Sequence, residues 1–337
     1  MLRGMKQMSR SALDEEIPTD RHACRRALIA LKAGYPPRDA LRYLSVGMTG
    51  VLAEIDNVLV QAGRGARVRP LVVSGDYGEG KSHTLRLIAT EAERQHFAWV
   101  VVTHDRQQNI GLHKPAWLFQ HILWQLRWSY PALDLRRWDS WLHGQPDYRT
   151  DRSMRRQLRG CLAELTQSLR SQGFRGFVLC LDELENVALL AGNQRAIFGE
   201  VLRHLLDGPE SHVVLVLAAT SGLSAAGRWG TLLRPPALDE RSALILTYRI
   251  QRLHSAAFDW RPPIGPVPIF EKAWKASSAV PSGRWRTFVQ SVVIHLEVLE
   301  QNGWLPTEHV SRPALRAESA PDVLSRITRF ARLLGIR

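Results

Sequence analysis

The sequence predicts an α/β protein built on a five-stranded parallel sheet, and three observations carry that expectation. Residues Gly75 to Ser82 read Gly-Asp-Tyr-Gly-Glu-Gly-Lys-Ser, a phosphate-binding loop of the form G-x-x-x-x-G-K-[ST]. It lies between the apolar run Leu71-Val-Val-Ser74 and a helical pattern starting near His83, the setting that turns the spacing into a site. Phe177-Val-Leu-Cys-Leu181 is an unbroken apolar run ending in Asp182-Glu183. It suits a strand buried on both faces and emerging at the carboxyl edge of a parallel sheet. Around these two motifs, strand-like and helix-like segments alternate.

The elements follow in order. Arg21 to Ala33 is expected to be helical, with Ala27, Leu28 and Leu31 on one face, until Gly34-Tyr-Pro-Pro37 breaks it. A second helix starts at Asp39, and a third covers Met48 to Gln61 with Val51, Leu52, Ile55, Val58 and Leu59 at helical spacing. Strands are expected at Leu71–Ser74, Ala98–Thr103, Phe177–Leu181, Val213–Thr220 and Leu244–Ile250. Helices are expected at Lys114–Trp128, Met154–Leu169, Ala188–Leu206, from Ile269 onward, Phe288–Gln301 and Val323–Leu334. Trp117, Trp124 and Trp128 are read as packing inward, the common fate of such spacing, with stacking on bases as the alternative. Pro262, Pro263, Pro266 and Pro268 read as a connector. The division expected is 1–66 as an N-terminal helical segment, 67–253 as the core, and 254–337 as a C-terminal helical lid and tail.

The loop residues Gly75, Asp76, Tyr77, Gly78, Glu79, Gly80, Lys81, Ser82 and His83 are the expected nucleotide contacts. Its glycines allow successive N–H groups to point into one concavity, and the helix behind adds its positive end. Lys81 is expected to reach the β- and γ-phosphates, and the Ser82 hydroxyl to hold Mg²⁺. Asp182 is placed to join Ser82 in holding the metal, and Glu183 to act as base on the attacking water. Glu185 reads equally as a helix-start charge and receives no catalytic role. No N/T-K-x-D guanine-reading motif is present, so ATP is the expected nucleotide.

The 337 residues carry a net charge of +13, which points to an anionic partner beyond the nucleotide. Arginine supplies most of it, as GC-rich codon usage alone would. Arg152, Arg155, Arg156 and Arg159 share one helical face, which either tracks phosphates or is simply solvated. No apolar stretch approaches the ~20 residues that span a bilayer. The N-terminus lacks the apolar region of a secretory signal. Three widely spaced cysteines fit a reducing cytoplasm rather than a disulfide frame or zinc site.

The order of these features resembles the additional-strand class of P-loop ATPases, the AAA+ and origin-recognition-like group. That resemblance implies the sheet order 5-1-4-3-2, a sensor-1 role for Thr220, and a sensor-2 role for Arg286 with Arg284 as second choice. It places an arginine finger among Arg228, Arg234 and Arg241 without separating them. A closer resemblance is to the ATP-binding proteins of bacteriophage-exclusion (BREX) systems, the BrxC/BrxD-like family. It rests on Arg25-Arg-Ala-Leu-Ile-Ala-Leu-Lys-Ala-Gly-Tyr-Pro, the loop through Leu85, Leu181-Asp-Glu-Leu-Glu-Asn186, Gln194-Arg-Ala-Ile-Phe and Leu202-Arg-His-Leu-Leu-Asp. It implies an Mg²⁺-dependent ATPase of antiphage defence, with nucleic acid, a helicase or nuclease, or copies of itself as partners. A nucleotide-gated interaction module with slow hydrolysis is the second reading. A nucleotide kinase is the third, and would need an acceptor pocket that the sequence does not locate.

Overall fold

The computed structural model describes residues 17–104, 111–144, 146–207, 210–220, 229–280 and 283–302. Among these residues three helices come first: α1 (Arg21–Lys32), α2 (Leu41–Leu44) and α3 (Thr49–Gly63). Then follow β1 (Leu71–Ser74), α4 (Lys81–Arg94), β2 (Phe97–Thr103), α5 (Pro115–Ser129), α6 (Asp139–His143), α7 (Tyr148–Ser171) and β3 (Gly176–Asp182). The rest is α8 (Gly192–Leu206), β4 (Val213–Ala219), β5 (Thr231–Leu233), α9 (Glu240–Phe258), α10 (Pro266–Ser278) and α11 (Arg284–Asn302). The helix expected at Val323–Leu334 lies outside the described residues.

The strands form one sheet in the order β2-β3-β4-β1-β5, with every neighbouring pair parallel. Read from the other edge, this is the expected order 5-1-4-3-2. β1, β3 and β4 are buried at every residue, as their near-continuous apolar runs require. Period-two alternation divides β3 between two cores. Phe177, Leu179 and Leu181 pack with α5, α7 and α8, while Val178 and Cys180 face α3 and α4.

A third core stands apart from the sheet. Cys24, Ala27, Leu28 and Leu31 of α1 pack against Leu246, Ile250 and Leu253 of α9 and Phe288 and Val292 of α11. The N-terminal helix and the C-terminal helices therefore make one helical lobe over the sheet's carboxyl edge. The boundary expected after residue 253 falls inside α9.

One expected strand is a helix. Leu244–Ile250 belongs to α9, and the strand in fifth position is Thr231–Leu233. The short apolar window around Thr247 and Arg249 imitates alternation. The longer window shows Ala243, Leu246, Ile250, Leu253 and Ala257 buried at spacings of three and four. Asp239 caps the helix by accepting the Ser242 N–H at 2.8 Å. Arg249 is buried because it donates to the Tyr43 carbonyl and its guanidinium lies 5.2 Å from the Tyr43 ring centroid. The true β5 is only three residues long and pairs Leu232 with Val72, too short to announce itself in sequence.

Smaller differences have similar causes. α7 begins six residues earlier than expected because Asp147 caps its polar first turn, accepting the Thr150 N–H at 2.7 Å. Two prolines of the expected connector, Pro266 and Pro268, instead open α10, where a missing N–H costs nothing. The tryptophans of α5 do not pack inward: Trp124 is 46% and Trp128 88% exposed. Of the expected arginine face, Arg159 is tied to Glu210 at 2.7 Å, while Arg152 and Arg156 are exposed. No described helix is long and apolar enough to cross a membrane.

The cap offers a direct check on α9. Asp239→Ala is expected to lower stability by about 1 kcal/mol, seen as a lower denaturant midpoint with unchanged slope. A loop ahead of a strand would tolerate the change, so an unshifted midpoint would contradict the helix start.

Candidate functional site

Strand register assembles the site. Ser74 of β1 lies beside Ala219 of β4, and Leu181 of β3 beside Leu217, so three buried strands end together. From β1 the chain turns through Gly75–Gly80 into α4. Gly78 and Gly80 adopt φ of 76° and 98°, which favours glycine. The Asp76 N–H donates to the Glu79 carboxylate at 2.7 Å, an anion held by the loop backbone itself.

Lys81, 9% exposed, reaches back along the loop. Its Nζ donates to the carbonyls of Gly75 at 2.9 Å and Asp76 at 3.4 Å, and pairs with Glu185 Oε1 at 3.5 Å. Ser82 Oγ donates to Asp182 Oδ2 at 3.5 Å. Asp182 is buried, and desolvation raises its pKa above the ordinary carboxylate value. The Glu183 N–H, donating to Asp182 Oδ1 at 2.8 Å, works against that rise; the charges of Glu183 and Glu185 add to it.

Glu183 sits in the left-handed region at φ 55°, a conformation that costs a non-glycine residue on the order of 1 kcal/mol. Asn186 holds it there. Its Nδ2 donates to Glu183 Oε2 at 3.0 Å and to the His104 carbonyl at 3.1 Å. His83 lies on the first turn of α4 with Nε2 2.8 Å from Ser45 Oγ. Burial lowers its pKa to about 4, so a neutral imidazole joins α4 to the chain after α2.

The helical lobe closes the site from above. Arg286 Nη1 donates to Tyr77 Oη at 2.5 Å, with its guanidinium 4.7 Å from that ring's centroid. Close by, a Cβ on Gly78 would lie 2.4 Å from Gly283 Cα, so only glycine permits this approach of loop and lobe. Arg284, by contrast, stacks on Trp274 inside the lobe. A cleft with about 1160 Å³ of open space runs from Lys81, Ser82, Asp182 and Glu183 to an apolar end lined by Leu31, Tyr35, Val46, Leu246, Trp285 and Val289.

The structure thus gathers Gly78, Glu79, Gly80, Lys81, Ser82, His83, Asp182, Glu183 and Arg286 on one cleft, with Tyr77 at its rim. Thr220 directly follows β4 but does not line it. Arg234 and Arg241 are exposed and do not line it, although Arg234 directly precedes the lining residues Pro235 and Pro236, and Arg228 lies outside the described residues. Sequence reasoning set Glu185 aside and overlooked Asn186 and the apolar end. Asn186 stands three residues after Glu183, a helical-turn spacing that would have signalled it.

The chemistry of the donor set fits a hard cation. Ser82 and Asp182 offer oxygen beside two further carboxylates, and burial leaves Asp182's charge undercompensated. Among the described residues no three His, Cys, Asp or Glu side chains form a metal cage. Magnesium held by one or two protein oxygens plus phosphate and water needs none.

The family model for the BREX system ATP-binding protein BrxC/D matches residues 20–128, from α1 through the loop to α5. The resemblance read from the sequence is borne out over that span. No curated protein matches the sequence. Among solved structures, DnaA from Aquifex aeolicus with bound AMPPCP is similar at 13% identity and a TM-score of 0.40, covering 85% of this chain and 69% of that one. The Aeropyrum pernix ORC1 protein in complex with DNA is similar at 16% identity and 0.48, covering 85% and 66%. Drosophila ORC bound to DNA gives 14% and 0.47, covering 89% and 69%. The chain therefore spans about two thirds of the length of these proteins.

Burial of Asp182 has a measurable sign. Its raised pKa means the folded state holds the proton more tightly, so ionised Asp182 costs stability at neutral pH and ceases to do so in acid. Asp182→Asn is expected to raise the ligand-free melting temperature at pH 7. That gain should shrink as pH falls from Asp182's raised pKa toward the ordinary carboxylate value near ~4, and be gone below it. An equal or lower melting temperature for the variant at pH 7 would contradict the electrostatic reading.

Proposed function

We propose that this chain is an Mg²⁺-dependent ATPase whose cycle drives or gates assembly of an antiphage defence complex acting on nucleic acid. The observation that carries the reading is the convergence of Lys81, Ser82, Asp182 and Glu183 at the end of the phosphate-binding loop. Ser82 and Asp182 would hold magnesium, which supplies charge neutralisation at the β- and γ-phosphate oxygens. The loop N–H groups and Lys81 bind the phosphates, with Lys81 exchanging its loop carbonyls and Glu185 for phosphate oxygen. Glu183, oriented by Asn186, accepts a proton from the attacking water. The apolar end takes the base, and Trp285 and Tyr35 offer it aromatic surface. Arg286 adds positive charge from the lobe, and Thr220 orients water or γ-phosphate from the end of β4.

The partners proposed are a helicase, a nuclease or another defence protein, nucleic acid with DNA ahead of RNA, and further copies of this chain. Arg234 and Arg241 are exposed, as a finger offered to a neighbouring subunit would be. A specific observation favours the gated module with slow hydrolysis as the second reading. Lys81 is engaged with Glu185, Glu183 with Asn186, and Arg286 with Tyr77, so nucleotide must displace contacts on both loop and lobe.

Two substitutions test the site. Lys81→Ala is expected to lose ATP binding and, with the carboxylates deprived of their cation, to lower the melting temperature while still unfolding cooperatively; unchanged affinity would defeat the assignment. Glu183→Gln is expected to keep ATP yet lose about 10²–10⁴-fold in turnover, the usual worth of a positioned base. Wild-type turnover in that variant would remove Glu183 from the mechanism. Turnover measured with and without nucleic acid separates the motor from the slow gate.

A further inference from the structure

α5 carries an exposed aromatic stripe that the nucleotide site does not use. Lys114 at its cap is followed at spacings of three and four by Trp117, His121, Trp124 and Trp128, all on one face. The opposite face, with Leu118, Phe119, Ile122, Leu123 and Leu126, is buried in the main core. The stripe is therefore surface by construction and grows more open along the helix. Trp117 is half-buried, Trp124 46% exposed and Trp128 88% exposed, the most exposed of the large apolar side chains among the described residues. Trp124 is also fixed in place, since its Nε1 donates to the Leu142 carbonyl at 3.1 Å.

Within α5 itself the charge is one-sided. No carboxylate occurs anywhere in α5, whereas Arg127 lies between the last two tryptophans, exposed and without an ion-pair partner among the described residues. The nearby exposed arginines of the following turn differ, because Arg136 pairs with Asp134 at 2.6 Å and Arg137 with Glu164 at 2.7 Å. A partner helix is favoured by aliphatic knobs at this spacing, and the stripe has none. Flat π surfaces interleaved with an uncompensated guanidinium match a ligand that offers both bare base faces and phosphates. A duplex keeps its base faces stacked inside and cannot use the indoles.

We propose that the Trp117–Trp128 face of α5 is a binding platform for single-stranded nucleic acid, with Trp124 and Trp128 stacking on bases and Arg127 pairing with phosphate. The indoles of Trp124 and Trp128 are separated by about 6 Å of helix rise, a spacing that suits neighbouring bases of an extended strand. The platform deepens the proposed action on nucleic acid and rests on that reading for its purpose, but its geometry is independent of the ATP cleft.

The test uses the full chain and labelled 20-mers of oligothymidylate and oligouridylate, with a DNA duplex of equal length as comparison. Fluorescence anisotropy should show single strands of either sugar binding more tightly than duplex, with quenching of tryptophan emission. Trp128→Ala should weaken single-strand binding roughly 5- to 100-fold, and Trp124→Ala/Trp128→Ala further. Arg127→Ala should reduce the salt slope by roughly 0.7, one phosphate contact on a single strand. ATP turnover should not change, because these side chains lie outside the cleft. Trp128→Ala and Arg127→Ala should also keep the melting temperature, whereas Trp124→Ala gives up the Leu142 hydrogen bond and half-buried surface and should lower it modestly without altering turnover. Absence of single-strand binding at ~50 mM salt, or binding indifferent to the double substitution, would overturn the platform even with turnover intact. Wild-type protein that binds through the tryptophans but never hydrolyses ATP would uphold the platform and defeat the ATPase reading instead.

Discussion

A lysine ammonium cannot be taken out of water unless oxygen surrounds it, and the arrangement around Lys81 follows from that requirement. The glycines of the loop bend the backbone so that the carbonyls of Gly75 and Asp76 face Nζ, and Glu185 supplies the compensating charge. Three carboxylates, Asp182, Glu183 and Glu185, crowd the same strand end, and among the described residues Lys81 is the buried cation that answers them. Their repulsion is tolerated through specific donors. Asp182 receives the Glu183 N–H and the Ser82 hydroxyl, while Glu183 receives the Asn186 amide. Such a cluster is short of positive charge, and in the proposed ATPase a divalent cation with its phosphates would complete it.

The second constraint is that loop and lobe meet backbone to backbone. Gly78 has no room for a side chain against Gly283, and the Tyr77–Arg286 contact lies beside them. Because α1, α9 and α11 share a single apolar core, force on Arg286 is carried into the whole lobe rather than one helix. Nucleotide entering the cleft displaces contacts that belong to both bodies. In the proposed cycle, that coupling would turn a small phosphate rearrangement into a movement that a partner could sense.

Much of this was legible before any coordinates. The loop and the acidic strand end carry their own chemistry, and four of the five strands are mainly apolar runs whose burial leaves few alternatives. The fifth was misplaced because a window of seven residues, Leu244–Ile250, satisfies a strand pattern that the surrounding nineteen-residue helix overrides. Its replacement, Thr231–Leu233, is recruited to an edge by pairing with β1 rather than by its own propensity. The resemblance alone put Arg286 ahead of Arg284, and their contacts diverge in the fold, where Trp274 captures Arg284 and Tyr77 captures Arg286. The apolar end of the cleft joins Leu31, Val46, Leu246 and Val289, residues too far apart along the chain for any local pattern to unite. Trp124 and Trp128 were expected inside by spacing alone, yet a helix has two faces and the aliphatic one won the core.

The account turns on whether the carboxylate cluster is completed by magnesium and phosphate together. Calorimetric titration of the full chain with a non-hydrolysable ATP analogue, in Mg²⁺ and again in excess chelator, tests this directly. The account predicts one analogue bound per chain in Mg²⁺ and markedly weaker binding in chelator. No binding in Mg²⁺, or an affinity indifferent to the metal, would contradict it.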